Sequence, residues 1–539
     1  MGLFGRRRSL WPRKLHVAID EPEEGPVLDR GLQRVRGWMG SSGEDMSRIW
    51  IGGDDIPMQR ARIGCPRPDL AALAPHPYAP IAGFEAWLDL SVLPAGPRDV
   101  ILRLVAEDDD VGATAIKEHR LTVGSAPPLS VTDPVQRPQP RTSASDPLRI
   151  TAVAHNLEMG GSQTFMRNLL LELKAMGMSS RVVAMGPGPH RRGLEDAGIQ
   201  VVVTPPCPVD RPTRYERWLE DVRDMADLDH TDVLLANTLM TFPFADLATR
   251  EGVPVLWSVH EGMGMRTFWK EGYPVIELSE PVRELAEAAF RHANIVVPAP
   301  SALELYREEL GDRPPRVIRV GLDHDRIGET QDSSSWSSAR AELGLPDSGT
   351  VALALGSFEP RKGQGLLVNA FARLAERHPD AVLVLVGALP GQGYTDAVAE
   401  VVERRGLGDR VHIVPLTSEP YKWLAAADFL VSASDTEILP FSVLEAMAFG
   451  LPVAVTDVGY VGAVVEEGRS GFLCEARDQA ALTRMLDRAL SLSPDERALM
   501  GKAGAELTAR EYRQDESARG YRDALLATAR GTDGTSSGR

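Results

Sequence analysis

The run Ser434-Asp435-Thr436-Glu437-Ile438-Leu439-Pro440-Phe441-Ser442-Val443-Leu444-Glu445-Ala446-Met447-Ala448-Phe449-Gly450 is the most informative in the chain. Ahead of it, Ala427-Asp428-Phe429-Leu430-Val431-Ser432 reads as a short buried strand that ends at a polar step. Behind that step, Ser442 to Ala448 reads as the first turns of a helix. Glu437 then lies on the loop after a strand and Glu445 inside a helix start, with seven residues between them. In an open α/β sheet that loop is where ligands bind. A carboxylate accepts hydrogen bonds and donates none, which suits the paired hydroxyls of a sugar or ribose.

The same strand, loop, helix pattern repeats upstream. Thr350 to Leu355 is a strand, Gly356-Ser357-Phe358-Glu359-Pro360-Arg361-Lys362-Gly363 a loop, and a helix starts at Gln364. Ala381 to Gly387 and Val411 to Leu416 are further strands, and Glu419 to Ala427 a helix. Gly387 to Gly393 holds three glycines but no G-x-G-x-x-G, so no nicotinamide or flavin site is expected. Earlier, the strand Leu148 to Ala154 runs through His155 and the loop glycines Gly160 and Gly161 into an amphipathic helix from Thr164 to about Met176. Glycines let a backbone approach a ligand, and a helix N-terminus favours a phosphate. Ser180 to Met185, Val201 to Val203, Val233 to Ala236, Val253 to Val259, Asn294 to Ser301 and Arg316 to Asp323 continue the strand pattern. His260-Glu261 follows the fourth of these, at a strand end suited to touching a ligand. Alternating strands and helices of this kind build doubly wound sheets.

The acidic pair, taken with Leu444-Glu445-Ala446-Met447-Ala448, Gly450, Pro452-Val453 and Val458-Gly459, resembles the E-x7-E motif of retaining glycosyltransferases of family 4. That resemblance implies the GT-B fold, in which two Rossmann-like domains face a cleft, and metal-independent transfer of a hexosyl group from a UDP- or GDP-linked sugar. It also implies roles. Glu445 would hold the ribose and Glu437 the donor sugar. His260 would lie near that sugar. Lys362, with Arg361, Ser357, the Gly160-Gly161 loop and the amides of Ser442 and Val443, would neutralise the leaving diphosphate. Leu416 and Thr417 would contact the base. The sequence departs from the family at three places: Ser357 stands where an Arg is usual, Ile438-Leu439-Pro440 replaces Gly-Phe-Gly, and Ala463 stands where Glu is frequent. Pro440 has no N–H to offer a phosphate.

The implied layout is a basic tail over 1–14, a β-sandwich over 15–125, a linker over 126–147, Rossmann-like domains over 148–325 (acceptor side) and 326–505 (donor side), a helix crossing back over 506–529, and a tail over 530–539. The β-sandwich is read from alternating runs at Ser47 to Gly53, Gly83 to Leu90 and Val100 to Val105. Such a domain would bind a glycan acceptor or dock to a partner. Glu107 to Asp110 and Asp54-Asp55 read as turns between strands rather than metal ligands. Arg6, Arg7, Arg8, Arg13 and Lys14 make the first residues either a solvated tail or a patch for anionic lipid. The net charge of -17 argues against nucleic acid as a partner. Cys65, Cys207 and Cys474 are too far apart in sequence for a metal cluster or a disulfide framework. No run approaches the roughly 20 apolar residues of a membrane span, and no signal peptide is evident. The expectation is a cytoplasmic enzyme of polysaccharide or glycoconjugate synthesis, peripheral to the membrane if the basic patch binds lipid, with a glycan or lipid-linked acceptor. The alternatives are an inactive nucleotide-sugar or glycan-binding protein and a nucleotide-sugar epimerase.

Overall fold

A computed structural model describes residues 15–23, 27–28, 32–41, 48–53, 55–73, 76–94, 96–108, 113–123, 148–269, 278–311, 313–333, 335–389, 391 and 393–531. The basic tail, the linker, Asp54, residues 109–112 where a turn was expected, residues 270–277 and the last eight residues are among those that lie outside them. The chain forms two compact units. One joins Met1–Val131 to Thr330–Thr436 and Phe449–Ala505; the other joins Thr132–Glu329 to Glu437–Ala448 and Glu506–Arg539. We call them the sandwich unit and the histidine unit.

The histidine unit is built on a parallel sheet ordered Gln200–Val203, Ser179–Ala184, Arg149–Ala154, Val233–Asn237, Val255–Ser258, Asn294–Val297, Arg316–Val317. The order reverses beside Arg149–Ala154, so its crevice opens between the ends of that strand and Val233–Asn237. Both strands are apolar and buried almost throughout, as strands covered on two faces must be. The helix after the first strand begins at Gly161, not Thr164, because the Gly160 carbonyl already accepts from Thr164 N–H at 2.9 Å. The expected tail helix is two helices, Pro494–Glu511 and Gln514–Arg530. They part where Tyr512 turns its carbonyl to Leu322 N–H at 2.9 Å and Arg513 bridges Leu322. Gln514–Arg530 then lies on the helix Gly161–Ala175, with Gln514 Nε2 donating to Glu172 Oε1 at 3.1 Å.

The sandwich unit has a second parallel sheet, ordered Val411–Pro415, Val382–Ala388, Val351–Leu355, Phe429–Ser432, Val453–Thr456, Gly471–Cys474. Its first strand in sequence again sits at the reversal. The N-terminal strands make two more sheets. One is ordered His16–Glu21, Leu32–Gly40, Gly83–Asp89, Arg62–Cys65, the other Val27–Leu28, Ala113–Val123, Arg98–Asp108, Arg48–Gly53, Ile56–Arg60. Arg98–Asp108 alternates buried and open positions along its length, with one face in the core. It runs through Glu107 and Asp108, which were expected in a turn; Asp108 is buried and accepts from Ser41 Oγ. Gly53 pairs opposite Ile56, a tight hairpin around position 55.

These sheets share one apolar core with the parallel sheet beside them, running from Val35, Ile51 and Leu104 through Ile81 to Leu367, Phe371 and Val398. Tyr394 takes the Gly365 N–H at 3.1 Å at the seam. One face of the β-region is therefore occupied by its own chain. No helix among the described residues is long and apolar enough to cross a membrane.

Candidate functional site

In the histidine unit, His155, Asn237-Thr238 and His260-Glu261 stand at the carboxyl ends of three adjacent strands. Their hydrogen bonds separate the two histidines. Ser162 Oγ donates to Gln163 Oε1 at 3.0 Å, which turns the Gln163 amide nitrogen toward His155 Nε2, 3.0 Å away. His155 Nε2 thus accepts, and Nδ1 lies 3.1 Å from Thr238 Oγ1. Both ring nitrogens of His155 are used within the fold.

His260 is different. Asn237 Nδ2 donates to the Ser162 carbonyl at 2.9 Å, so Asn237 Oδ1 faces His260 Nε2 at 3.1 Å. That places the proton on Nε2, with Ser258 Oγ 3.0 Å away. Nδ1 is buried and has no partner among the described residues. Tyr521, on the last helix, reaches Ser258 Oγ at 2.6 Å and so extends this chain of bonds. Thr238, between the histidines, holds φ of 75°, a strained value for a β-branched residue. Trp257 Nε1 donates to its carbonyl at 2.7 Å and pins it.

Burial pushes the pKa of both His155 and His260 down from 6.5 to about 4. In the unfolded chain each keeps the ordinary value, so between the two the unfolded state binds more protons. Their stabilisation is complete above pH 6.5 and is lost as pH falls toward 4. Each contributes a slope of at most about 1.4 kcal/mol per pH unit. Thermal melts followed by circular dichroism are expected to fall steadily from pH 7 to 5, and His155→Gln to flatten the decline. A midpoint independent of pH over that range would contradict the neutral assignment.

Glu437–Ala448 groups with the histidine unit, not with the sheet whose strand precedes it in sequence. Phe441 explains this: its ring is 5.9 Å from Phe165 and 6.1 Å from His260. Gly262 backs against Glu437 so closely that a Cβ would fall 2.5 Å from the Glu437 carbonyl carbon. Both glutamates are half-buried, Glu437 on the loop and Glu445 in the helix Phe441–Ala448. Ser442 sits on that helix's first turn, but the Val443 amide donates to the Pro440 carbonyl at 3.2 Å. Val443, expected to offer its amide to phosphate, has already used it.

The sandwich unit carries the remaining candidates. Ser357 to Lys362 follows the strand Val351–Leu355, and Pro360–Lys362 forms one tight turn. Gly363 closes it at φ of 69°, a left-handed conformation open to glycine, with Ala433 O only 2.5 Å from where a Cβ would be. Ser357 Oγ donates to Glu359, and Arg361 Nε donates to Glu359 Oε2 at 2.7 Å. Burial works to raise the Glu359 carboxyl, but Arg361, the Ser357 hydroxyl and Lys362 more than offset it and hold it below its usual range. Arg361 is therefore partly engaged inside its own loop. Leu416 is exposed after the strand Val411–Pro415, while Thr417 Oγ1 accepts the Glu419 amide at 3.0 Å and caps a turn. Among the described residues no cluster of His, Cys, Asp or Glu is arranged to hold a metal ion.

Two family models match consecutive parts of the chain: "Glycosyl transferase 4-like domain" over residues 160–322 and "Glycosyl transferases group 1" over 337–507. Residues 337–507 therefore belong to the group 1 glycosyl transferases, and residues 160–322 are of the 4-like kind. The solved structure of Alr3699/HepE from Anabaena, in complex with UDP and glucose, matches with a TM-score of 0.59 at 19% identity, covering 70% of this chain and 99% of that one. Sucrose-phosphate synthase from Thermosynechococcus elongatus matches at 0.57 and 20%, over 70% and 100%. At such identities the likeness establishes the fold, which is GT-B with two Rossmann-like sheets. D-inositol 3-phosphate glycosyltransferase of Streptomyces avermitilis is 29% identical over 48% of this chain and 57% of its own length. The Streptomyces scabiei protein of the same name is 32% identical over 35% and 43%. The chain thus spans about half the length of the curated relatives it matches.

Asn237, Ser258, Thr238 and Tyr521 were not singled out from sequence. The first three border strands that were, so the end residues of each strand carried a usable signal. Tyr521 carried none, since its partner is 263 positions away.

Proposed function

We propose that this group 1 glycosyl transferase moves a hexosyl group from a UDP- or GDP-linked sugar to a glycan or lipid-linked acceptor, with retention at the anomeric carbon and without a divalent cation. The observation that carries this is the union of the acidic pair with the strand ends of the histidine unit: Glu437 lies against Gly262, and Phe441 beside His260. His260 Nδ1, a buried acceptor without a protein donor among the described residues, suits a sugar hydroxyl. Glu445 holds the ribose hydroxyls. Glu437 accepts from the donor sugar and stabilises the positive charge that grows on its ring. Lys362 stabilises the diphosphate as it leaves. Leu416 offers an apolar surface to the base. The Anabaena neighbour, solved in complex with UDP and glucose, supports a nucleotide-sugar donor here.

A second reading, a binding protein without turnover, draws support from Arg361 being engaged by Glu359 and from the spent Val443 amide. Incubating the full chain with UDP- and GDP-sugars and glycan or polyprenyl-phosphate acceptors separates the two. Sugar transfer with release of nucleoside diphosphate, unchanged by EDTA, is the expected result, and NMR of the product reads its configuration. Binding without turnover establishes the second reading, and an epimerised sugar overturns both.

A further inference from the structure

The β-region meets the parallel sheet of its own unit through more than apolar packing. Arg62, on the edge strand Arg62–Cys65, is buried. Its guanidinium forks onto Asp435: Nε donates to Oδ2 and Nη2 to Oδ1, the latter at 3.3 Å. Nη1 donates to Glu85 Oε2 at 3.3 Å. Arg477, whose Nε lies 3.4 Å from Asp435 Oδ2, approaches from the loop after Gly471–Cys474. The Asp435 carboxylate, 5% exposed, is thus enclosed by two arginines from two directions.

What Asp435 does with its main chain gives the fork its meaning. Its amide donates to the Arg361 carbonyl at 2.8 Å, in the turn that carries Arg361 and Lys362. Two residues later comes Glu437. The segment from Ala433 to Pro440 has neither helix nor strand to hold it. Its position depends on local anchors, and the Asp435 carboxylate is a charged one among them. A bidentate arginine fixes both the direction and the distance of a carboxylate, which a single point charge does not. Displacement of a catalytic group by about 1 Å can cost on the order of 100-fold in rate.

We propose that Arg62 is a positioning residue. From the β-region it holds Asp435, and through Asp435 it sets the backbone of both the Arg361-Lys362 turn and the Glu437 loop, so that the β-region governs affinity for the nucleotide donor. This rests on the donor reading above. The β-region is then a brace for the donor loops, in addition to any acceptor it binds.

The test is isothermal titration of the full chain with UDP and with GDP, alongside thermal melts. Heat from neither nucleotide with the wild-type chain overturns the donor reading, and this inference with it. Given binding, Arg62→Gln and Asp435→Asn are each expected to weaken the nucleotide roughly 10-fold. The double variant should be no weaker than either, because both break one linkage. Arg62→Lys keeps the charge without the fork and recovers only part. Arg60→Gln serves as the control: the Arg60 side chain pairs with Glu475 at 2.7 Å and Asp478 at 3.7 Å on the same seam and donates to the Ala476 carbonyl at 3.0 Å, while the contact to Arg477 is made by the Arg60 main-chain carbonyl, which the variant keeps. It is expected to lower the melting point and leave affinity unchanged. If Arg62→Gln fails to fold, Arg62→Lys and Asp435→Asn carry the comparison. Nucleotide affinity unchanged in the folded Arg62 and Asp435 variants, or lost equally in Arg60→Gln, overturns the positioning role and leaves the donor reading standing.

Discussion

Lys362→Ala is expected to lower kcat/KM for the donor roughly 100- to 1000-fold, the range seen when one preorganised donor to a developing anion is removed. Three features make Lys362 hard to replace. Its backbone is fixed, since its amide donates to the Glu359 carbonyl at 2.9 Å and left-handed Gly363 follows. Its neighbour Arg361 gives its Nε to Glu359, so that cation is not fully available as a substitute. Ser357, which stands where the resemblance leads one to expect an Arg, is neutral and bonded to the same carboxylate. Steady-state kinetics with the donor identified by the nucleotide-sugar panel measures the loss, and Lys362→Arg should recover part of it. Activity within about threefold of wild type would remove Lys362 from the chemistry.

Arg340→Met is expected to destabilise the sandwich unit by about 3–5 kcal/mol, the cost of leaving a buried charge without its partner. Arg340 is 0% exposed. Nη2 meets Asp428 Oδ2 at 2.6 Å, Nε donates to the Ala426 carbonyl at 2.9 Å, and Nη1 donates to the carbonyls of Pro346 and Gly349, each at 3.1 Å. The guanidinium stacks on Trp336, 3.6 Å from the ring centre. Burial draws its pKa below the ordinary value against the pull of Asp428, so the charge is costly and depends on this partner. Asp428 in turn accepts the Val351 amide at 2.6 Å, at the start of the strand that leads to Ser357 and Lys362. Arg497, 2.6 Å from Asp428 Oδ1, keeps that carboxylate from being wholly abandoned and places the loss toward the lower end. Urea unfolding reads the change; a loss under about 1 kcal/mol would show that Arg497 alone suffices.

Much of the fold was legible because it rests on local pattern. Val382–Ala388 and Phe429–Ser432 announce buried parallel strands by composition, and the helix start at Gln364 follows from the turn before it. The helix boundary at Gly161 and the break at Tyr512-Arg513 were not legible. Both depend on one particular hydrogen bond, from Thr164 N–H in one case and Leu322 N–H in the other, and apolar periodicity does not register it.

The candidate site divides the same way. Residue type and spacing, together with the family resemblance, were enough to nominate Glu437, Glu445, His260, Lys362 and the glycines as candidates, because acceptor pairs, strand-end histidines and backbone-exposing loops are written into a few adjacent positions. Which histidine keeps an open nitrogen was not written there. Nor was the pairing of Arg361 with Glu359, the loss of the Val443 amide, or the grip of Arg62 on Asp435 across 373 positions of sequence. Those are matters of which polar groups meet when separate segments are buried together. A buried donor or acceptor must find a partner wherever the fold brings one, and no short stretch of chain contains that information.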